Sequence, residues 1–339
     1  MSPLRKMRYR LEWMAMEIAV LLVPLLSRRA AHQLGGWIGT VAAALHGAGR
    51  KVAFANLEAA FGNLYNRQQQ ARIVRESYQN FARAMVHLLW SAGINEGNFR
   101  EQFDLVNLSE EVAGLDQSKG LITVTFHFGD WEAAALAMGL AGFPLLIVAQ
   151  EAQNPLLDPI FTRLRERFGH QVTGRERAIV KMYKALQGGR TVAILSDLAP
   201  KTTEPFVAID CLGLKTCVTF AHAWLHQRTG APLVPLYCEQ LHDGRRRLVT
   251  RPALQLPAAA TEAQVAQACW DCFEEAVRAN PGGWLWMYKH WRYKPTETDS
   301  RYPAYAGDWL KLDKHLERSS QPGRPAQQKR RRLAQRRSG

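Results

Sequence analysis

The chain has 339 residues, 47% of them hydrophobic, so it contains enough apolar material for a buried core and is neither disordered nor fibrous over most of its length. Its formal charge of +14 is concentrated at the ends, with +4 in the first ten residues and +8 in residues 311–339. Basic ends on a nearly neutral body favour an anionic partner or membrane surface, and we expect no nucleic-acid partner. Five cysteines, an odd number, argue against a disulfide framework and for a reducing compartment.

Residues 1–45 are predicted to attach the protein to a membrane. Four basic residues precede an apolar stretch, 13–26, which is interrupted only by Glu17 and is followed by Arg28 and Arg29. A spanning helix needs roughly 20 apolar residues, and a glutamate at the bilayer centre is costly. No small-residue cleavage site follows, which argues against a removed signal peptide. We therefore predict an interfacial or shallowly inserted helix, with a helix of a soluble core as the alternative.

The middle of the chain, residues 46–310, is predicted to form one α/β domain. A long helix is indicated over residues 68–92, and strand-like apolar runs then alternate with helical patterns. The strand candidates are 121–126, 145–149, 192–195 and 233–237, and the helical patterns are 131–141, 156–168, 176–187 and 217–229. This alternation predicts a central, largely buried mixed sheet flanked by helices. The basic, Pro- and Ser-rich residues 311–339 are predicted to be a disordered tail.

The segment from Gly120 to Glu132 carries the candidate chemistry. A buried strand delivers His127 to its C-terminal end, and a helix begins after it. In that geometry the Glu132 carboxylate can accept one ring N–H of His127 and leave the other nitrogen as a general base. Asp130 is the alternative partner, or it caps the helix. Neither serine nor cysteine adjoins His127, and the chain has no Gly-x-Ser-x-Gly motif, so a substrate hydroxyl is the expected attacker; a structural histidine is the competing interpretation.

Residues 127–132, His-Phe-Gly-Asp-Trp-Glu, resemble the His-x4-Glu/Asp signature of glycerolipid-type acyltransferases, in the form found in the bacterial late lipid A (lauroyl and myristoyl) acyltransferases. Five further blocks are similar to that family, in the same order and spacing. They are 51–61, 154–169, 186–197, 229–235 and 281–291. Six blocks in register extend the resemblance over about residues 12 to 297.

This resemblance implies transfer of a fatty acyl chain from an acyl carrier protein or CoA thioester to a hydroxyl of a membrane lipid. It assigns His127 as the base and Glu132 as the residue that orients it. Arg165 falls at a position for phosphate or oxyanion charge, and Asp197 at one that orients substrate or base. The resemblance implies neither a cofactor nor a metal ion, and it places the enzyme on the cytoplasmic face of the inner membrane.

The acceptor is left open where the sequence departs from the family pattern, at Leu198 and at Leu212-Gly213. We expect a lipid A precursor, with another glycolipid or a carrier-bound lipid-like intermediate as alternatives. A thioesterase that uses the same histidine is the competing enzyme class, and a lipid-binding protein of the membrane surface is the competing non-enzyme. Trp284, Trp286 and Trp291 either bind acyl chain or headgroup or pack in the core.

Overall fold

A mixed seven-stranded sheet lies at the centre of the computed structural model, which describes residues 2–298 and 301–320. Its order is β1-β9-β8-β2-β5-β3-β4, and every neighbouring pair is parallel except β8 with β9. The described strands are β1 (Phe103–Val106), β2 (Leu121–Thr125), β3 (Leu145–Val148), β4 (Gln171–Thr173), β5 (Thr191–Leu195), β6 (Val207–Cys211), β7 (Leu214–Val218), β8 (Leu233–Gln240), β9 (Arg246–Thr250), β10 (Tyr293–Lys294) and β11 (Gly307–Asp308). The predicted mixed α/β fold with a central sheet flanked by helices is confirmed.

Helices cover both faces of this sheet. The described helices are α1 (Pro3–Leu22), α2 (Arg28–Leu45), α3 (Gly47–Phe61), α4 (Arg67–Trp90), α5 (Phe99–Gln102), α6 (Leu108–Ala113), α7 (Trp131–Leu140), α8 (Asp158–Arg165), α9 (Ala178–Gln187), α10 (Ala221–Thr229), α11 (Glu262–Ala279) and α12 (Leu310–Ser320). Because side chains alternate along a strand, Ile122 and Val124 of β2 enter the core with α10 and α11, whereas Leu121 enters the core with α7. Both faces of β2 are therefore buried, which explains its continuous apolar sequence.

The N-terminal segment is helical and packs on the domain. Helix α2 packs closely along α4. The absence of a side chain at Gly39 permits this approach, since a Cβ atom there would collide with the backbone of Tyr78 and Gln79. Helix α1 leaves large apolar side chains exposed, among them Leu21. Leu25, three residues beyond the end of this helix, is exposed as well. Within the described residues, no helix has the length and apolarity required to cross a membrane.

The ordered chain extends past residue 310, the predicted end of the domain. Helix α12 buries Leu312 against Phe206 and Cys217, with Leu316 packed beside them. The first part of the predicted disordered tail is therefore helical, and that part of the prediction is wrong, because its leucines recur at helical spacing and find an apolar surface. Residues 321–339 of the predicted tail lie outside the described residues.

Candidate active site

The parallel pairing of β2 with β5 brings His127 and Asp197 together. Thr125 lies opposite Leu195 in the register, and each strand then continues for two residues, to His127 and to Asp197. The distance from His127 Nδ1 to Asp197 Oδ1 is 2.8 Å, and the His127 backbone N–H donates to Asp197 Oδ2 at 3.1 Å. These two residues are 70 positions apart in the chain, and the sheet alone makes them neighbours.

Asp197 is buried and held as an anion. Trp284 Nε1 donates to its Oδ2 at 3.0 Å, which adds a third hydrogen bond to the two from His127. Burial raises the pKa of the Asp197 carboxyl, but the charge and hydrogen bond of His127 and the hydrogen bond from Trp284 outweigh burial and lower that pKa below its usual range. An ionised carboxylate only accepts hydrogen bonds, so Nδ1 of His127 carries the hydrogen and Nε2 is the free basic nitrogen.

Glu132 binds Arg165 instead of His127. Arg165 Nε donates to Glu132 Oε2 at 2.9 Å and its Nη2 donates to Oε1 at 2.6 Å, a two-pronged ion pair. Burial lowers the pKa of Arg165, but the hydrogen bonds and charge of Glu132 have the larger effect and raise this pKa above its usual value, so the guanidinium stays charged. The predicted contact between Glu132 and the imidazole is therefore wrong, because Asp197 takes that position and α8 presents a matching guanidinium to Glu132. A catalytic role for Glu132 stays a prediction.

The tight turn between His127 and α7 is fixed by Gly129 and Asp130. Gly129 has a φ of +58°, and a side chain there would collide with the carbonyl oxygen of Cys238. Asp130 caps α7 by accepting the Ala133 N–H at 3.0 Å, and it also accepts from Arg246 at 2.8 Å. The capping alternative that the sequence offered for Asp130 is thus the one observed.

A cavity of about 250 Å³ lies between α7 and the sheet, and His127 lines it together with Glu132 and Arg165. Thr123 and Thr125 of β2 line the same cavity, and His127 lies two residues beyond the end of that strand. The inner wall is apolar, formed by the side chains of Ala134, Met138, Leu145, Ile147, Ala193 and Leu236. Ala134 and Ala193 contribute only methyl groups to this wall, and larger side chains at these two positions would fill the cavity.

The tryptophan cluster belongs to the core. Trp284, Trp286 and Trp291 are almost fully buried, so the core alternative holds for all three. Trp284 nevertheless serves the site, because its indole N–H binds Asp197 and its ring stacks on His290 at 3.8 Å. Burial lowers the pKa of His290 to about 4, so this ring is neutral at pH 7 and adds no charge next to Asp197. A buried tryptophan signals that its N–H has some partner, but the sequence does not indicate which one.

An α/β fold with a carboxylate-supported histidine at the end of a central strand, beside an apolar cavity, is typical of an enzyme that acts on a long apolar substrate. Comparison with known proteins makes this specific. A family model described as bacterial lipid A biosynthesis acyltransferase matches residues 2–293, and the chain belongs to this family. The protein is therefore an acyltransferase, of a family whose members acylate lipid A or glycolipids.

Named relatives are similar at low identity over most of their length. The phosphatidylinositol mannoside acyltransferase of Mycolicibacterium smegmatis is 25% identical over 223 residues, which are 65% of this chain and 72% of the relative. The lipid A biosynthesis palmitoleoyltransferase of Escherichia coli is 24% identical over 277 residues, which are 79% of this chain and 87% of the relative. The lipid A biosynthesis acyltransferase of Haemophilus influenzae is 22% identical over 256 residues, 75% of this chain and 78% of the relative.

Proposed function

We propose that the protein transfers a fatty acyl chain from a thioester, on an acyl carrier protein or CoA, to a hydroxyl group of a membrane lipid, with a lipid A precursor as the first candidate acceptor. The observation that carries this proposal is the position of His127, which is supported by Asp197 and lines a cavity with a largely apolar wall. Two relatives are named for acyl transfer in lipid A biosynthesis and one for phosphatidylinositol mannoside, which supports a glycolipid as the acceptor class.

The chemistry requires one proton to move twice. Nε2 of His127 takes the proton of the acceptor hydroxyl while the hydroxyl oxygen attacks the thioester carbonyl carbon. The resulting tetrahedral oxyanion collapses, the carbon–sulfur bond breaks, and the imidazolium returns the proton to the thiolate that leaves. Asp197 stabilises the imidazolium between these steps, since it is ionised and 2.8 Å from Nδ1.

Arg165 is the candidate for stabilising the oxyanion. It lines the same cavity as His127, and two of its five N–H groups are used by Glu132. The other N–H groups can bind the carbonyl oxygen as its negative charge develops. In this proposal Glu132 acts as a positioning residue that fixes the guanidinium, and Arg165 contacts the reacting atoms.

The cavity is suited to the acyl chain. An apolar cavity of about 150 Å³ already stays dry and binds apolar molecules, and this one is larger. Each methylene that leaves water for such a wall contributes about 0.8 kcal/mol to binding. Met138 and Leu145, two of the larger apolar side chains of its wall, would then limit the length of chain that the cavity accepts.

We further propose that α1 and α2 hold the enzyme at the cytoplasmic face of the inner membrane. Most of the exposed large apolar side chains of the described residues belong to residues 4–45, including Leu25 at 78% exposure and Trp37 at 67%. Asn154 joins α1 to the domain by donating to the Tyr9 carbonyl at 2.9 Å and to Glu12 at 3.0 Å. Asn154 is four residues after Gln150, which lines the cavity, so one short segment contacts both α1 and the cavity.

The test follows a labelled acyl chain from a carrier-protein thioester, with and without a lipid A precursor in mixed micelles. Wild type should form acylated lipid, and His127→Ala should lose most of this transfer while its thermal unfolding midpoint is unchanged. His226→Ala is the matched control. His226, on α10, binds the Ala231 carbonyl and does not line the cavity. Full transfer by folded His127→Ala would refute the assignment of the base. Release of free fatty acid regardless of acceptor would identify a thioesterase instead.

A further inference from the structure

A cluster of arginine and histidine side chains lies next to the active site, where α2, α4 and the turn between β8 and β9 meet. It contains Arg28 and His32 of α2, Arg83 of α4, and His242 and Arg246 from the turn and its end.

Direct contacts bring these groups together. A side-chain carbon added at Gly244 would lie 3.0 Å from Arg28 Cγ and 3.4 Å from His32 Cβ, so the turn rests on the start of α2. Arg83 Nε donates to the His32 carbonyl at 3.4 Å, and the guanidinium continues along α2 to Gly36. Arg28 Nε donates to the Asp243 carbonyl at 3.1 Å, which ties the turn to the helix from the other side.

The acidic residues of this region are already committed. Asp130 accepts from Arg246 at 2.8 Å and lies 3.1 Å from His87, and Asp243 accepts from Arg245 at 2.7 Å. No carboxylate of the described residues forms an ion pair with Arg83. Glu76, which raises the pKa of Arg83, is bound to Arg72 at 2.8 Å.

Arg83 therefore has donor capacity without an anion, whereas burial and the nearby Arg83 and Arg246 lower the pKa of His32 to about 4, so that its neutral imidazole offers one N–H. Burial and the nearby Arg246 lower the pKa of Arg83, the direction expected for a half-buried cation beside another cation. The Nδ1 atom of His32 is buried and, among the described residues, has no hydrogen-bond partner. Like charges and unsatisfied donors held together cost stability, and such arrangements are common where a charged ligand binds.

We propose that Arg83 and His32 bind a phosphate group of the acceptor lipid. A guanidinium and an imidazole N–H from two elements suit the several oxygens of a phosphate. The cluster adjoins the exposed apolar surface, since Leu25 and Leu26 directly precede α2 and Trp90 Nε1 donates to the Leu26 carbonyl at 2.8 Å. A phosphate at this place would lie beside the proposed membrane-facing surface.

The position relative to His127 favours the acceptor over surrounding lipid. Arg246 binds Asp130. Asp130 is three residues after His127, so the Cα atoms of Asp130 and His127 are at most about 11 Å apart. Arg83 is close enough to Arg246 for that charge to lower its pKa, so the cluster adjoins the turn that follows His127. This inference rests on the proposed function, and it adds a group that selects phosphorylated acceptors.

Arg83→Gln tests the proposal with two acceptors that differ only in a phosphate, namely a phosphorylated glycolipid and its dephosphorylated form. We expect KM for the phosphorylated acceptor to rise roughly 10- to 100-fold, while KM for the dephosphorylated acceptor and for the thioester is unchanged. Arg83→Lys should recover part of the loss. Arg75→Gln, an exposed arginine on the same helix, should behave as wild type. His32→Ala should give the same selective effect and serves if Arg83→Gln unfolds.

Binding without turnover separates this proposal from the proposed function. Calorimetry with the phosphorylated glycolipid and no thioester should show weaker binding to Arg83→Gln than to wild type. Equal binding, or equal KM effects on both acceptors, would overturn the site. A loss of binding to phosphatidylcholine vesicles that contain phosphatidylglycerol, with no effect on acceptor KM, would assign the cluster to surrounding lipid and overturn the acceptor assignment. Phosphate-dependent binding with no acyl transfer by wild type would reject the proposed function alone.

Discussion

The substitution Asp197→Asn tests whether Asp197 or Glu132 is the carboxylate that supports His127. The substitution keeps the size of the side chain but removes its charge. Its amide can donate to Nδ1 of His127, which leaves the imidazole hydrogen on Nε2. That tautomer cannot accept a proton from the acceptor hydroxyl. In Glu132→Gln, by contrast, the structure leaves the imidazole and its partner intact and disturbs Arg165.

The expected size of the effect follows from the distance. Opposite unit charges about 4 Å apart, at an effective dielectric constant of about 20, interact by about 4 kcal/mol. The loss of this term from the transition state lowers the rate roughly 1,000-fold, at 1.36 kcal/mol for each factor of ten. The wrong tautomer adds to it, and in serine proteases the corresponding substitution costs about 10⁴-fold. We expect kcat and kcat/KM of Asp197→Asn to fall together by roughly 10³ to 10⁴, with little change in KM for the thioester.

The assay is steady-state transfer of a labelled acyl chain, read together with thermal unfolding. Asp210→Asn makes the same chemical change at an exposed carboxylate bound to Lys215, and it should leave kcat unchanged. Glu132→Gln is measured both alone and in an Arg165→Gln background. Because Glu132 binds Arg165 directly, its loss should cost little more once the arginine is absent.

Two results would refute this reasoning. One is a folded Asp197→Asn enzyme that keeps more than about a tenth of the wild-type kcat, since the charge term alone exceeds that. The other is a Glu132→Gln substitution that costs its full factor in the Arg165→Gln background. That second result would mean that Glu132 acts on the imidazole during turnover, in an arrangement other than the one described.

Three further substitutions test the cavity, the membrane surface and a buried histidine. Met138→Trp should reduce kcat/KM for long acyl thioesters more than for short ones, because each excluded methylene forfeits about 0.8 kcal/mol; an equal loss for all chain lengths would place the chain elsewhere. Leu21→Asp with Leu25→Asp should weaken binding to lipid vesicles about 100-fold in a sedimentation assay, since the burial of two leucines contributes about 3 kcal/mol. Burial lowers the pKa of His222 to about 4, so below pH 6.5 the unfolded chain takes up a proton that the folded chain does not. Stability to urea should therefore fall by about 2 kcal/mol from pH 7 to pH 5 on account of this residue, and His222→Phe should lose less over the same range.

The strands of the sheet centre could be predicted because each is a continuous apolar run buried on both faces. β9 could not be, although it lies between β1 and β8. It begins with two arginines, and Arg246 is buried only because Asp130 neutralises it. A local pattern does not reveal such a partner, which lies 116 residues away. Helix α12 was missed for a related reason, since its apolar face acquires meaning only beside Phe206.

The site was partly predictable for the same physical reason. His127 was identifiable, because its position at the end of a buried strand depends on local sequence. Its partner was not identifiable from local sequence, which favoured Glu132 and Asp130; only the family resemblance placed Asp197 at a position that orients substrate or base. The choice of Asp197 depends on β2 pairing with β5 in the register that aligns Thr125 with Leu195. That register is a property of the whole sheet.

The pairing of the two carboxylates has a consequence for catalysis. Buried ionised groups need partners, and here Asp197 takes His127 whereas Glu132 takes Arg165. If Arg165 lacked this partner, its full charge would face the cavity and would bind the carboxylate of a free fatty acid strongly. With Glu132 bound, the net charge of the pair is close to zero. The ion pair fixes the Arg165 guanidinium, and its remaining N–H groups are still available to a ligand in the cavity. We infer that such a donor favours the short-lived oxyanion over a stable fatty acid anion, because the oxyanion forms at the place where the hydrogen bonds are already oriented.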